Sequence, residues 1–189
     1  GAPQVEEVDG RKYAKIVYNQ GQGFTVGAYT DPIPCHGASI LLVARPVRNG
    51  VRSGWSSLVD VFYDRLVLGV RGDSGVVCVR RNGSVDDSQT AIPDGQITIL
   101  SLVVQPDGTY KAFANGTKIM TNSNAKEMKA LVPGVAGPFA RQITIGRNAP
   151  DAWTTSHGGI GDVFLYKVAL TDAERRELEA RIAKSLEEG

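Results

Sequence analysis

The sequence predicts an all-β domain, an antiparallel sandwich or barrel, that ends in one short amphipathic helix. Three observations carry this. Turn-forming residues recur at the short, regular spacing typical of such folds. The stretch GQITILSLVVQPDGTYKAFANGTKIM (95–120) reads as three strands joined by tight turns. The one strongly helical segment, TDAERRELEARIAKSLEE (171–188), comes last.

Taken in order, YNQGQGFTVGAYT gives a strand around Phe24–Tyr29, and ASILLVARPV gives one around Ser39–Ala44. LVDVFYDRLVLGVRGDSGVVCVRRNG reads as three short strands, broken at Tyr63-Asp64 and at RGDSG. Gln96–Val104 is a long strand, QPDG a turn, Thr109–Ala114 the return, and Thr117–Met120 a third strand after Asn115-Gly116. Asn-Gly supports a tight hairpin because a type I′ turn needs positive φ at both central residues. Residues 121–140, with Pro133, Gly134, Gly137 and Pro138, read as a crossing loop. RQITIGRN and GGIGDVFLYKV then close the sheet, with the last strand-like run at Val163–Tyr166.

The closing helix has local causes. Thr171 is placed as N-cap with Glu174 three residues on, the reciprocal pattern of a capping box. Asp172 adds negative charge where the helix dipole favours it. Leu178, Ile182 and Leu186 form one narrow apolar stripe, while Arg175, Arg176, Glu177, Glu179, Arg181 and Lys184 fall on the other faces. Such a helix is expected to dock by one edge on a larger body.

Bulk properties exclude several classes. The 189 residues fit one domain over 1–189, with the helix as a clasp at about 171–187. The 21 Lys and Arg nearly cancel the 20 Asp and Glu, which gives no electrostatic case for nucleic acid. No apolar run is long enough to span a bilayer, so no membrane insertion is expected. The opening GAPQVEE has neither a basic nor an apolar leader region, and a first Gly without Met fits a processed end. Two cysteines, Cys35 and Cys78, exclude a Cys-based zinc cluster and leave one disulfide or two buried thiols open.

The order of long strand, PDG turn, strand, NG hairpin and strand, followed by ITIGRN and GGIGDVFLYKVALTDAERRELEARIAKS, resembles the concanavalin A-like lectin/glucanase superfamily. More narrowly it is similar to bacterial laminin G-like modules. The matching positions are Phe113 to Gly116, Ile145-Gly146, and Gly159 through Leu170. The resemblance covers residues 96–185 and is thin over 1–57. It implies a jelly-roll β-sandwich, and a secreted or cell-surface protein whose signal peptide lies outside this sequence. It also implies a possible structural Ca²⁺, with Asp162 as a ligand and Asp31 or Asp151 added from loops.

Fold does not set function, so sites were sought residue by residue. A retaining glycosidase needs two carboxylates about 5 Å apart. The superfamily's glucanases place these in an E-x-D-x-x-E strand. Glu7-Val8-Asp9 is the nearest match, but Lys12 stands at the last position, and no glutamate lies between Asp9 and Lys126. Adjacent Cys35-His36 would point to opposite faces of a strand, a poor nucleophile–base pair. RGDSG (71–75) reads as a turn rather than an adhesion motif, and the sequons at Asn82 and Asn115 sit where hairpins want Asn-Gly.

Sugar recognition combines aromatic rings with amides and carboxylates. Trp55 and Trp153 fall in predicted loops, and Asn148, Asp151 and His157 flank the second. They are the candidate ligand-binding residues, with a lid over the core as the competing role for each Trp. From Arg45 to Arg81 there are seven Arg and three Asp, which would suit an acidic glycan. The expected function is therefore a non-catalytic carbohydrate-binding module, its partner a polysaccharide or glycoconjugate, acidic ones included. The alternative is a protein-interaction or structural module with no sugar site, and an Asp-based glycan-active enzyme comes last.

Overall fold

The computed structural model describes residues 3–17, 23–27, 33–34, 37–50, 55–62, 65–81, 84–122, 130–131, 142–146 and 157–188. The strands are β1 (Gln4–Val8), β2 (Arg11–Ile16), β3 (Phe24–Val26), β4 (Ile33–Pro34), β5 (Ala38–Pro46), β6 (Trp55–Val61), β7 (Leu66–Arg71) and β8 (Val76–Arg81). They continue as β9 (Ser84–Ala91), β10 (Thr98–Val104), β11 (Tyr110–Ala114), β12 (Thr117–Asn122), β13 (Ala130–Leu131), β14 (Ile143–Ile145) and β15 (Gly158–Tyr166). Helix α1 spans Asp172–Glu188. Among the described residues no helix is long and apolar enough to cross a membrane.

The strands form a seven-stranded sheet, β1-β2-β15-β5-β10-β11-β12, and a six-stranded sheet, β3-β14-β6-β7-β8-β9, with β4 and β13 as a separate pair. The two large sheets enclose one apolar core. Ile40, Leu42, Leu100 and Leu102 of the larger sheet meet Leu58, Leu66, Leu68, Val77 and Val79 of the smaller. The expected sandwich is thus what forms, antiparallel throughout the pairings of both sheets.

Several expectations shift at their edges. The strand begun at Phe24 is described only to Val26, and residues 28–29 lie outside the described part. The crossing loop at 121–140 is shorter at its start, because β12 runs to Asn122, and Ala130–Leu131 pairs with Ile33–Pro34. The last strand begins at Gly158 rather than Val163 and carries a bulge between Ile160 and Val163. Five strands were not anticipated: β1, β2, β4, β9 and β13. The β1–β2 hairpin turns at Asp9-Gly10, both at positive φ (52° and 78°), and β9 is a polar edge strand. Cys78 is a free, buried thiol, and Cys35 lies outside the described residues.

The turns form for the reasons their residues supply. Asn115 and Gly116 have φ of 47° and 78°, and the Asn115 side-chain oxygen accepts a hydrogen bond from the Ile99 amide at 2.8 Å. Asp107 accepts from the Thr109 amide and hydroxyl, which holds its carboxyl below the usual range. Gly37, at φ 92°, lets the chain pass Val104, whose carbonyl oxygen would lie 2.4 Å from any Cβ there. Ser39 then stitches the chain between β15 and α1 to β5, donating to the Val168 carbonyl and accepting from the Leu170 amide, both at 2.9 Å.

The helix starts as expected and docks differently. Glu174 accepts from the Thr171 amide at 2.8 Å, and Thr171 Oγ1 accepts from the Glu174 amide at 3.3 Å. The apolar stripe is only half-buried. Arg175 and Glu179, expected on the polar faces, are instead the buried pair, 1% and 6% exposed. Their ion pair measures 2.6 Å, the Arg175 guanidinium lies 3.6 Å from the centroid of the Phe113 ring, and Glu179 accepts from Ser101 Oγ at 2.6 Å. Burial is tolerable because each charge is both paired and hydrogen-bonded. Phe113 and Ser101 lie on the outer face of the larger sheet, so the helix covers the side opposite the core.

A second polar clasp joins the sheets where β9 meets β12. Tyr110 donates its hydroxyl to Asp86, and Asn122 donates to the same carboxylate at 2.5 Å. Arg81 lies over the Tyr110 ring and donates to the Gly108 carbonyl. Burial first, then the bond to Asp86, raises the Tyr110 pKa above the ordinary tyrosine value.

Two outcomes follow for stability. Arg175→Met should cost about 3–5 kcal/mol in chemical denaturation by leaving Glu179 buried and unpaired, and Arg175→Met with Glu179→Leu should recover most of it. For Tyr110, the unfolded phenol ionises near pH ~10 while the folded one stays neutral. The stabilisation is present below that pH and lost as pH rises above it. Denaturation midpoints should therefore fall above about pH 10, and Tyr110→Phe should flatten that fall while costing about 1–3 kcal/mol at neutral pH.

Candidate functional site

The six-stranded sheet carries polar residues on the face turned away from the core. Leu66, Leu68, Val70, Val77 and Val79 point inward, so the residues between them point outward. One row crosses all six strands by direct register, running Thr25, Thr144, Asp60, Val67, Arg80 and Val85. A second row runs Ser57, Gly69, Cys78 and Asp87. Asp60 is 1% exposed, and Ser57 and Thr144 are buried beside it. Asp60 has Thr144 on one side in register and Val67 on the other, with Arg80 two strands away, so the row holds a buried carboxylate next to a buried hydroxyl.

Arg71 links this face to the end of the sandwich. Its guanidinium binds Asp87 through two bonds of 3.1 Å, and these hydrogen bonds raise its pKa further. The turn after it is built by the backbone, with the Gly75 amide donating to the Arg71 carbonyl at 3.0 Å. RGDSG is thus a turn whose arginine is occupied by Asp87 and whose Asp73 is exposed.

Beyond Arg71 lies a shallow depression of about 10 Å³ lined by Arg48, Ser56, Arg71, Asp94 and His157 over Leu58 and Val70. The connecting segments brace one another there. The Arg48 amide donates to Asp94 Oδ1 at 2.7 Å, the Asn49 amide to the Gly72 carbonyl at 2.8 Å, and the Val47 amide to the His157 carbonyl at 2.8 Å. The depression is too small for more than a water-sized group. What it supplies is a rigid polar rim.

The sequence candidates distribute unevenly over this surface. Trp55 is not in a loop; it opens β6 as the register partner of Arg71. His157 is half-buried on the rim. Asn148, Asp151 and Trp153 lie outside the described residues. The chain on either side of them is anchored at this same end, by the Gly146 amide to the Leu58 carbonyl at 2.9 Å and by His157 to Val47. Asp162 stands apart, exposed in the middle of β15 and sharing a cleft with Arg11 and Lys12. Among the described residues it belongs to no group of three His, Cys, Asp or Glu side chains, and Asp31 is outside them. A Ca²⁺ at Asp162 would also need oxygens from carbonyls, water or further carboxylates.

The basic run also resolves into particulars. Arg45 pairs with Glu6 at 3.3 Å, Arg71 with Asp87, and Arg81 is buried over Tyr110. Arg48 is exposed on the rim, and Arg52 lies outside the described residues. Sequence reasoning missed Asp60 and Thr144, which become neighbours only through strand pairing, and Ser57 on the same strand as Asp60.

No family model matches the chain, and no curated protein matches it. Solved structures do. Domain 4 of AbnA, a GH43 extracellular arabinanase from Geobacillus stearothermophilus solved with arabinotriose, is 18% identical, with 95% of this chain and 82% of that one covered at a TM-score of 0.66. A heptameric SAP-like pentraxin from Limulus polyphemus is 16% identical, with 84% and 76% covered at 0.60. A putative carbohydrate binding protein from Bacteroides ovatus is 15% identical, with 85% covered but only 42% of that protein spanned, at 0.58. The chain has the concanavalin A-like jelly-roll fold shared by these structures.

Burial pushes the Cys78 thiol up to about 12. In a Cys35→Ser variant, Cys78 should therefore stay unreactive toward a thiol reagent at pH ~8 until the protein is denatured, since only the thiolate reacts. Fast labelling of native protein would mean that this face of the sheet opens readily.

Proposed function

We propose that the chain is a non-catalytic, lectin-like carbohydrate-binding module of laminin G-like type, belonging to a secreted or cell-surface protein. Its ligand is a polysaccharide or glycoconjugate, held at the end of the sandwich where β6 begins. The observation that carries this reading is the polar rim at that end, formed by Arg48, Ser56, Arg71, Asp94 and His157. Trp55 opens β6 as the register partner of Arg71, and Gly146 and His157, between which Asn148, Asp151 and Trp153 fall in the sequence, bond to Leu58 and Val47. Aromatic faces with nearby hydroxyl, carboxylate and guanidinium groups match the two sides of a sugar ring. Structural neighbours support the class: one was solved with arabinotriose, and another is described as a carbohydrate binding protein. Arg48 favours acidic glycans, because guanidinium pairs carboxylate or sulfate bidentately.

Tryptophan fluorescence during titration with neutral and acidic polysaccharides, with and without Ca²⁺, tests this. A saturable shift with one glycan class, weakened about tenfold or more by Trp55→Ala, Trp153→Ala or Arg48→Ala, is expected. Loss of binding on Ca²⁺ removal would add the metal to the site. Folded protein that shifts with no glycan would transfer the reading to a protein-interaction module.

A further inference from the structure

Two adjoining cavities lie along the helix, and the second reaches the edge of the smaller sheet at Phe24 and Ile145. The first, about 250 Å³, is lined by Leu41, Phe164, Tyr166, Leu178 and Ile182, with Asp162, Arg181 and Ser185 at its edge. The second, about 450 Å³, opens where β2 separates from β15 and is lined by Arg11, Lys12, Tyr13, Phe24, Val43 and Leu186, among others. Asp162 lines both.

Three elements show that the two cavities follow one line. Phe164 is the register partner of Leu41 in the antiparallel β15–β5 pair. Passing from the first cavity to the second therefore means moving from Leu41 to Val43 on β5 and from Phe164 to Asp162 on β15. The same passage runs from Leu178 and Ile182 to Leu186 on α1. The stripe from Leu178 to Leu186 covers about 12 Å of this trough. The stripe that should have docked the helix roofs a space instead, which is why it is half-buried while Arg175 and Glu179 make the close contact.

The open end of the trough is chemically different from its floor. Arg11 and Lys12 are cations there, set against the single carboxylate of Asp162 among the lining residues. Among the described residues, Arg11 Nε and the Tyr13 hydroxyl are buried in its wall without a hydrogen-bond partner. Both can donate, and a buried donor left unmade is costly, so an acceptor is the missing chemistry. Phe24 and Phe164 are 44% and 38% exposed at the two stretches. Neutral sugar hydroxyls would not repay an apolar floor of this extent, whereas an alkyl chain would.

We infer that this trough binds a single-chain anionic amphiphile, a fatty carboxylate. The chain lies between α1 and β15, and the head group sits at Arg11, Lys12 and Tyr13. This site does not rest on the carbohydrate reading, since its floor is on the larger sheet, with only Phe24 and Ile145 of the smaller sheet at its wider end.

Calorimetric titration of the full chain with octanoate, decanoate and dodecanoate, each below its micelle concentration, tests it. One saturable site is expected, with affinity rising about fourfold per added methylene. Arg11→Ala with Lys12→Ala should weaken dodecanoate about ten- to a hundredfold. Ile182→Trp, which fills the trough without removing Arg175 or Glu179, should abolish the dependence on chain length while thermal melts stay cooperative. Absence of saturable binding, equal affinity for all three chains, or indifference to Ile182→Trp would overturn the inference. So would sedimentation showing a dimer that Ile182→Arg separates, since a second copy would then be the occupant.

Discussion

Strands β5 and β10 lie at the middle of the seven-stranded sheet, and neither has a solvent face. Their sequences, ASILLVARP and TILSLVV, are apolar at nearly every position, so both sides of the sheet must be covered. The six-stranded sheet supplies one cover, over Ile40, Leu42, Leu100 and Leu102. The other face, with Leu41, Val43, Ile99 and Val103, is also buried, and α1 crosses it. Two-sided burial of these strands is the constraint that makes the helix part of the fold.

That constraint divides the two outer faces by role. The face under the helix needs an element that is held in place, and Arg175, Glu179, Ser101 and Phe113 hold it through one compact set of contacts. The outer face of the smaller sheet mixes Ser57, Asp60, Thr144, Arg71 and Arg80 with Val67 and Cys78, and Ser57, Asp60 and Thr144 are buried there. One face thus holds a buried polar row, and the other a space left by a helix fixed mainly at one end.

Much of this was legible in the chain because the signals were local. The Asn115-Gly116 hairpin, the QPDG turn and the Thr171–Glu174 cap all form as read, each depending on residues within a few positions of one another. The β1–β2 hairpin carried an equally local Asp9-Gly10 signal, but its flanks, QVEEV and RKYAKI, are too charged to announce a buried strand. Strand β9 holds two aspartates and lies at an edge, where pairing needs no apolar face. Arg175 and Glu179 read as surface charges because their spacing suggests an ordinary i,i+4 pair. Only the packing of Phe113 and Ser101, more than fifty residues away in sequence, removes them from water. The Asp60 row was likewise invisible, since Thr25 and Thr144 join it by register from strands distant in sequence. Trp55 was displaced from its expected loop because pairing with Arg71 extends β6 back to it.

The helix is secured unevenly along its length, and this has a dynamic consequence. Its first half has a satisfied cap and a buried ion pair, while its second half rests on half-covered side chains with exposed i,i+4 pairs such as Arg181–Glu177 and Lys184–Glu188. Local opening costs least where buried apolar contact is least. Backbone amides beyond Glu179 should therefore exchange with solvent as a separate unit, faster than those around Arg175 and without unfolding the sandwich. The C-terminal turns are thus held less tightly than the N-terminal ones, with no glycine or proline in the helix to mark where the change falls.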